Sequence, residues 1–338
     1  MKKITSLLAP LVFVGLAVPA GAASLTTRSF VPAVHRSGTA DARRPAAVTA
    51  AVAQASGVGI NLDVVGRLPG SGGVIFKTSV DIANNTDTAT QVDAYFSGVI
   101  SGSHVDIIAS VGPNGLAAQG SVQLPAVSVF HTDDFIDDLR VAGYITQAEE
   151  DAGILGSLFV IYNSPSPGLF DQIGQGSVQA RFYSTNAQGT IGVSANGHEL
   201  TQSEPVSIVG IARDTQGEAG TPQLYTNFFI NNEGFAQSDG TIVANTVQVR
   251  LTGYSNSTGQ KTGQSSLITI GPFETVGVSK VFDVVHGNKA TDDTLIVFVD
   301  IVSGTSAISG LSSLNDAGTL DPSAAQLRPA DWTNGQPQ

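Results

Sequence analysis

The chain has 338 residues, which exceeds the length that one hydrophobic core usually supports, so more than one domain is expected. Its 28 acidic and 16 basic side chains give a formal net charge of −12, and this balance argues against nucleic acid as a partner because binding to phosphates requires a basic surface. It has no cysteine, which excludes disulfides and thiolate metal sites.

The N-terminus is typical of a secretory signal peptide. Two lysines precede an apolar run from Leu7 to Val18, and Ala20-Gly21-Ala22 supplies the small residues that a signal peptidase requires. The run is shorter than the roughly 20 residues of a membrane-spanning helix, so no transmembrane segment is expected. We predict a signal peptide over 1–22, export to the periplasm or outside the cell, and a flexible leader over 23–56.

From Ile60 onward the dominant pattern is that of β-strands. Between residues 76 and 83 apolar side chains alternate with polar or small ones, as in a strand that buries one face. The runs 158–162 and 295–299 are continuously apolar and β-branched, which favours central strands covered on both sides. Glycine- and asparagine-rich turns separate these segments, so we predict antiparallel β-sandwiches, Ig-like or jelly-roll-like.

The same landmarks occur twice in the same order, which indicates an internal duplication. The matched segments are 78–84 with 226–232, 92–98 with 247–253, 158–162 with 295–299, and 186–191 with 315–320. We predict two tandem sandwich domains, 57–203 and 204–328, followed by a tail over 329–338. The residues expected to fill the two cores are Val80, Ile82, Phe96 and Val160 in the first copy, and Phe228, Ile230, Leu251 and Val297 in the second.

One segment, residues 131–155, interrupts the β pattern with helical signals. Thr132 is a candidate N-cap for a helix whose apolar residues would face inward. The sequence from Thr146 to Glu149 has the form of a capping box and predicts a second short helix. We therefore predict an α-helical insertion in the first domain, with a shortened counterpart around 278–285 in the second.

Three motifs carry a resemblance to a known family. They are the strand with the form Thr-x-x-x-Ile-x-Asn, the short helix before an apolar strand, and the closing strand that runs from Ser312 to Asp321-Pro322. Together they resemble a family of uncharacterised secreted bacterial proteins built from tandem β-sandwich modules. The resemblance implies a β fold and an envelope location, and it implies no catalytic residues.

The helical insertion also holds the densest group of potential ligands. Asp133, Asp134, Asp137 and Asp138 share one face of the predicted helix and would suit calcium, which prefers oxygen ligands. The chain lacks the Asp-x-Asp-x-Asp-Gly pattern of a calcium loop, so a solvated helix face is the competing interpretation. Apart from this weak calcium site, no cofactor is predicted.

Other catalytic signatures are missing from the sequence. None of the five histidines has the spacing of a zinc motif, and His198-Glu199 follows an Asn-Gly turn where a polar pair is expected. No Gly-x-Ser-x-Gly motif is present. A triad assembled only by the fold stays open, and a buried group of His131, Asp133 and a nearby serine would favour it.

We therefore expect an exported, non-catalytic structural or adhesive module that binds a protein or glycan at the cell envelope or outside the cell. Binding would use the edge of a sheet or loops at one end of a sandwich. The alternative is a secreted hydrolase or carbohydrate-active protein with its site at the acidic 131–151 segment or in the groove between the domains. The oligomeric state is left open.

Overall fold

A computed structural model describes most of the chain from residue 57 to residue 329. The described ranges are 57–69, 73–100, 102–163, 176–186, 189–199, 207–215, 224–236, 242–286, 294–316 and 323–329, with short segments at 28–30, 35–36, 53–55, 332–333 and 336–337. The predicted signal peptide, most of the leader and tail, the domain boundary at 203–204 and the Asp321-Pro322 motif lie outside them.

The described part of the chain is mainly β, with antiparallel sheets and three short helices. The helices are α1 (Phe135–Val141), α2 (Gln147–Ala152) and α3 (Val281–Val285). Three short strands precede residue 57, namely β1 (Arg28–Phe30), β2 (His35–Arg36) and β3 (Ala53–Ala55). No helix among the described residues is long and apolar enough to cross a membrane.

Residues 57–199, together with β2, form one long antiparallel sheet. Its strands are β4 (Gly57–Pro69), β5 (Ile75–Asn84), β6 (Gln91–Ile100), β7 (Ser103–Gly112), β8 (Gly115–Ala117), β9 (Ser128–Thr132), β10 (Ile154–Asn163), β11 (Gly176–Asn186), β12 (Gly189–Asn196) and β13 (His198–Glu199). Their order is β12-β11-β5-β4-β10-β6-β7-β2, with β8 on β7, β9 on β5 and β13 on β4. Strand β4 pairs with β10 along most of its length and with β5 at Arg67–Pro69.

Residues 208–329 form two further sheets. Their strands are β14 (Ile208–Arg213), β15 (Leu224–Asn232), β16 (Phe235–Ala236), β17 (Ile242–Val243), β18 (Val247–Ser255), β19 (Lys261–Gln264), β20 (Ile268–Ile270), β21 (Thr275–Val278), β22 (Thr294–Ser303), β23 (Ile308–Asp316), β24 (Ser323–Gln326) and β25 (Arg328–Pro329). One sheet has the order β19-β18-β22-β14-β25 with β20 on β18, and the other has the order β21-β15-β23-β24. The pairs β16–β17 and β26 (Trp332–Thr333) with β27 (Gln336–Pro337) stand apart.

The predicted core and central strands are confirmed. All eight predicted core side chains are buried, four in the core of 57–199 and four in the core of 208–329. The run 158–162 lies in β10, which pairs with β4 and β6, and the run 295–299 lies in β22, which pairs with β14 and β18. All five side chains of 158–162 are buried, as expected of a central strand covered on both faces. In β22 Ile296 is 37% exposed, so the run 295–299 is only partly covered on its second face.

The two helices predicted within residues 131–155 are present, with one difference at the start of the first. Helix α2 begins at the predicted capping box, in which Thr146 accepts from the Glu149 amide and the Glu149 carboxylate accepts from the Thr146 amide. Helix α1 is capped by Asp134 rather than Thr132. Both residue types can cap a helix. The Thr132 hydroxyl instead accepts a hydrogen bond from the backbone amide of Asp134, where the chain passes from β9 into the helix.

The two parts of the chain pack against each other through apolar side chains. Phe273, in a loop of the second part, lies edge-on to Tyr95, with 5.9 Å between the ring centroids. A further cluster joins Val64 and Val193 of the first part to Leu311 and Phe229 of the second. This contact covers the face of β4 and β10 that points away from the first core, and the candidate site lies within it.

Candidate functional site

The candidate site is a buried group of two carboxylates and a histidine at this contact. Asp63 lies on β4, and His198 lies on β13, which pairs with β4 so that His198 is opposite Asn61. Because alternate residues of a strand share a face, Asn61 and Asp63 point to the same side. Glu233 follows the end of β15, where its amide donates to the carbonyl of Ala307. Residues far apart in the sequence therefore converge.

The functional atoms of this cluster are close together. His198 Nε2 lies 3.0 Å from Glu233 Oε2 and 3.7 Å from Asp63 Oδ1. Asn61 Nδ2 lies 3.1 Å from Asp63 Oδ1 and 3.5 Å from Glu233 Oε2. Asp63, Glu233 and Asn61 are buried, and His198 is partly so. The ligand atoms of the two acids and the histidine all lie within 4.8 Å of one another, so they are the described residues that could hold a metal ion.

A shell of neutral polar groups orients the cluster. The Ser309 hydroxyl donates to Asp63 Oδ1 at 2.6 Å, and the Thr275 hydroxyl donates to the Asp63 carbonyl at 2.9 Å. The side-chain amide of Asn231 in turn donates a hydrogen bond to the Thr275 hydroxyl. On the other side, the Gln326 amide lies 3.0 Å from His198 Nδ1. Most of these groups come from the second part of the chain, so the cluster is completed only when both parts are in place.

The cluster sets two carboxylates against one imidazole. Among the described residues, Asp63 and Glu233 form ion pairs only with His198. Burial raises the pKa of Asp63 to about 6, and the Glu233 charge adds to this rise against the opposing effect of His198. Burial alone would lower the pKa of His198, but its hydrogen bond to Glu233 and the two negative charges raise it to about 9.

The four residues predicted to bind calcium differ in burial and in ion pairing. Asp134 is buried and pairs with Arg67, so the expectation that it faces solvent is wrong. Asp137 pairs with Arg140, whereas Asp133 is 79% exposed. Burial raises the pKa of Asp138, which accepts a hydrogen bond from Thr132. Calcium binding by these four residues stays a prediction.

Two arginines, Arg67 and Arg140, pair with three acids of the acidic segment. The buried carboxylate of Glu150 lies 3.0 Å from Arg67 Nε and 2.6 Å from Arg140 Nε, which ties both helices to β4. His131 contacts Asp81 at 2.7 Å and Asp133 at 3.4 Å, and more than half of its side chain is exposed. This open arrangement differs from the buried trio that would have favoured a hydrolase at this segment.

A second histidine group, on β6 and β7, has the composition of a catalytic triad. His104 Nε2 lies 2.7 Å from Asp106 Oδ1 and 3.3 Å from Ser97 Oγ. In a triad the serine and the acid bind different nitrogens of the imidazole, so that the ring can take a proton from one while the other holds its orientation. Here one nitrogen faces both groups, and the Ser97 hydroxyl donates to Asp106 instead. The geometry is that of a buried polar network.

Sequence reasoning missed the cluster at the contact. In the sequence His198 follows an Asn-Gly turn, and Glu233 lies in an Asn-Asn-Glu-Gly segment that is itself typical of a turn. The available signal was the row of polar residues from Asn231 to Glu233, which directly follows the apolar residues 228–230. Nothing in the sequence relates that row to Asp63, which precedes it by 170 positions.

Comparisons with known proteins leave the family open. No family model, no curated protein and no solved structure matches the chain. The family resemblance drawn from its motifs therefore stays a resemblance, and the function is argued from the site alone.

Proposed function

We propose that the chain is an exported, non-catalytic β-sandwich module that binds a protein or glycan at the cell envelope or outside the cell. The observation that carries the proposal is the position of the Asp63, His198 and Glu233 cluster. Its ionisable groups contact one another and polar groups from both parts of the chain. Groups arranged in this way hold two parts of a protein in register, which is the role of a rigid scaffold.

The proposal includes two sandwich domains related by duplication, and the strand pairings support it. In the first part β10 pairs with β4 and β6, while β5 pairs with β9 and β11. In the second part β22 pairs with β14 and β18, while β15 pairs with β21 and β23. In chain order these pairings correspond strand by strand.

Two side chains also repeat their hydrogen bonds. The Thr78 hydroxyl accepts from the amide and donates to the carbonyl of Gly66, and the Thr226 hydroxyl does the same with Arg213. The buried amide nitrogens of Asn84 and Asn232 each lie within hydrogen-bond distance of three backbone carbonyls in the loops that follow. Shared tertiary contacts of this kind support a common origin more strongly than short sequence motifs.

For binding, we favour the free edge of β9. This strand pairs with β5 on one side and with none of the described strands on the other. Val129 on this edge is 58% exposed. A free edge with an exposed apolar side chain is suited to the addition of an extended segment of a partner protein.

The proposal is tested by binding of the purified chain to isolated bacterial cell envelopes. We expect saturable binding that the Val129→Lys variant weakens, because lysine on an edge strand opposes pairing with another strand. The control is Val141→Lys, since Val141 is also exposed, at 70%, but lies on α1. Absence of binding by the wild type, or equal binding by both variants, would count against this function.

The alternative function is hydrolysis at the contact between the two parts. It is favoured by the raised pKa of Asp63 beside a second carboxylate, a feature of acid and base pairs in enzymes. Turnover of chromogenic esters, glycosides or peptides by the wild type, lost in Asp63→Asn, would establish it. We expect no such turnover.

A further inference from the structure

We propose that Asp63, His198 and Glu233 bind one divalent cation of the zinc class between the two parts of the chain. The proposal does not depend on the binding function proposed above. It rests on the geometry of the ligand atoms, on the charge of the cluster and on the chemistry of its donors.

The spacing of the ligand atoms suits such an ion. Four ligands at the ~2.0–2.2 Å typical of zinc to nitrogen and oxygen lie roughly 3.3–3.6 Å from one another in a tetrahedron. The separations from His198 Nε2 to the two carboxylates are 3.0 and 3.7 Å. The corresponding separations from the Asn61 amide nitrogen are 3.1 and 3.5 Å. These four separations are close to the edges of a tetrahedral shell, and the ligand atoms of the two acids and the histidine all lie within 4.8 Å of one another before any ion enters.

Asn61 supplies the fourth corner of this shell. A rotation of its terminal amide by half a turn exchanges Nδ2 for Oδ1 at nearly the same place, which provides an oxygen ligand. Asn61 is buried and stands directly opposite His198 across the β4 and β13 pair. Its position therefore requires no movement of the backbone for this exchange.

The charge of the cluster also favours a bound cation. Asp63 and Glu233 are two buried carboxylates, and among the described residues their one ion-pair partner is His198. Buried acids that outnumber their cationic partners are unfavourable. A divalent cation supplies two positive charges for the two carboxylates. The ion therefore neutralises the cluster.

The third argument is donor chemistry. One imidazole nitrogen with carboxylate and amide oxygens suits zinc, whereas calcium prefers six to eight oxygens and magnesium an octahedron that keeps several waters. The surrounding hydrogen bonds are those expected of a metal site. Ser309 donates to the Asp63 carboxylate. Gln326 Nε2 lies 3.0 Å from His198 Nδ1, and a half-turn of this amide would place its oxygen to accept from the Nδ1–H of an imidazole that binds the ion through Nε2.

The consequence is a metal bridge between the two parts. Asp63 and His198 belong to 57–199, and Glu233 belongs to 207–329. An ion bound by all three would stabilise the assembled protein over any state in which the parts separate, because a ligand that binds only the folded form raises its stability.

The test is titration of the metal-free full chain with zinc, followed by calorimetry. We expect one ion per chain and a higher melting temperature with zinc than with calcium. In His198→Gln the affinity should fall by about tenfold or more, since even outer-shell changes have effects of that size. The matched control is His131→Gln, because His131 also lies beside two carboxylates but on the surface. It should bind zinc as the wild type does.

Cobalt serves as a second probe that does not depend on how the variants fold. Added to the metal-free wild type, it should give the visible absorption of a tetrahedral site, which zinc then displaces. A wild type with no stoichiometric zinc binding and no cobalt absorption would overturn the proposal. So would a folded His198→Gln protein that binds as tightly as the wild type, or a loss of binding in His131→Gln alone.

Discussion

Truncating Phe96 or Leu251 to alanine is expected to lower the free energy of unfolding by about 2–5 kcal/mol. Both side chains are fully buried, one in each core. Each substitution removes apolar contacts and leaves a cavity that the surrounding strands cannot close. Chemical denaturation measures the loss directly.

The control for these two variants is Ile211→Ala. Ile211 also lies on a strand but is 63% exposed, so its truncation should change stability by about 0.5 kcal/mol or less. A loss below about 1 kcal/mol at Phe96 or Leu251 would mean that the inward faces of β6 and β18 are assigned wrongly.

The metal-free protein is expected to lose about 3 kcal/mol of stability through His198 as the pH rises from 6.5 to 9. The pKa of His198 is raised in the folded state, so its contribution is fully present below its ordinary value of 6.5 and is lost as the pH rises through about 9. The pKa of Asp63 is also raised, and its effect has the same sign in the lower window from 3.8 to about 6.

Denaturation in the presence of a chelator, at several pH values, measures this loss. In His198→Gln the fall over the upper window should be smaller. The hydrogen bond to Asp81 also raises the pKa of His131, but that imidazole is largely exposed and screened by solvent, so His131→Gln should reduce the fall less than His198→Gln does. A wild-type stability that stays constant from pH 6.5 to 9 would show that His198 does not carry the charge assigned to it here.

Local signals in the sequence were sufficient for much of the fold. The alternation around Val80 and Ile82 predicted which face of β5 is buried, and the capping box at Thr146 predicted where α2 begins. Both depend on residues within a few positions of each other. The start of α1 was misplaced because Thr132 and Asp134 are both good caps, and tertiary contacts decided between them. The ion pair of Asp134 with Arg67 of β4 is one such contact.

The candidate site was beyond sequence reasoning for a physical reason. Its members reach one another through strand pairing and through the packing of the two parts, and neither leaves a spacing in the sequence. His198 meets Asp63 because β13 pairs with β4, and Glu233 arrives because Phe229 and Leu311 pack against Val64. The acidic helix attracted the prediction because its carboxylates are neighbours in sequence, yet Arg67 and Arg140 hold three acids of this segment apart in ion pairs.

A double-mutant cycle between His198 and Glu233 tests most directly whether the cluster couples the two parts of the chain. The variants are His198→Gln, Glu233→Gln and the double variant, unfolded at pH 7 in the presence of a chelator. Since the two side chains are in contact across the two parts, we predict an interaction energy of about 1–3 kcal/mol. If the effects of the two single variants sum to the effect of the double variant within about 0.5 kcal/mol, the two side chains are not coupled, which would contradict the role proposed for the cluster.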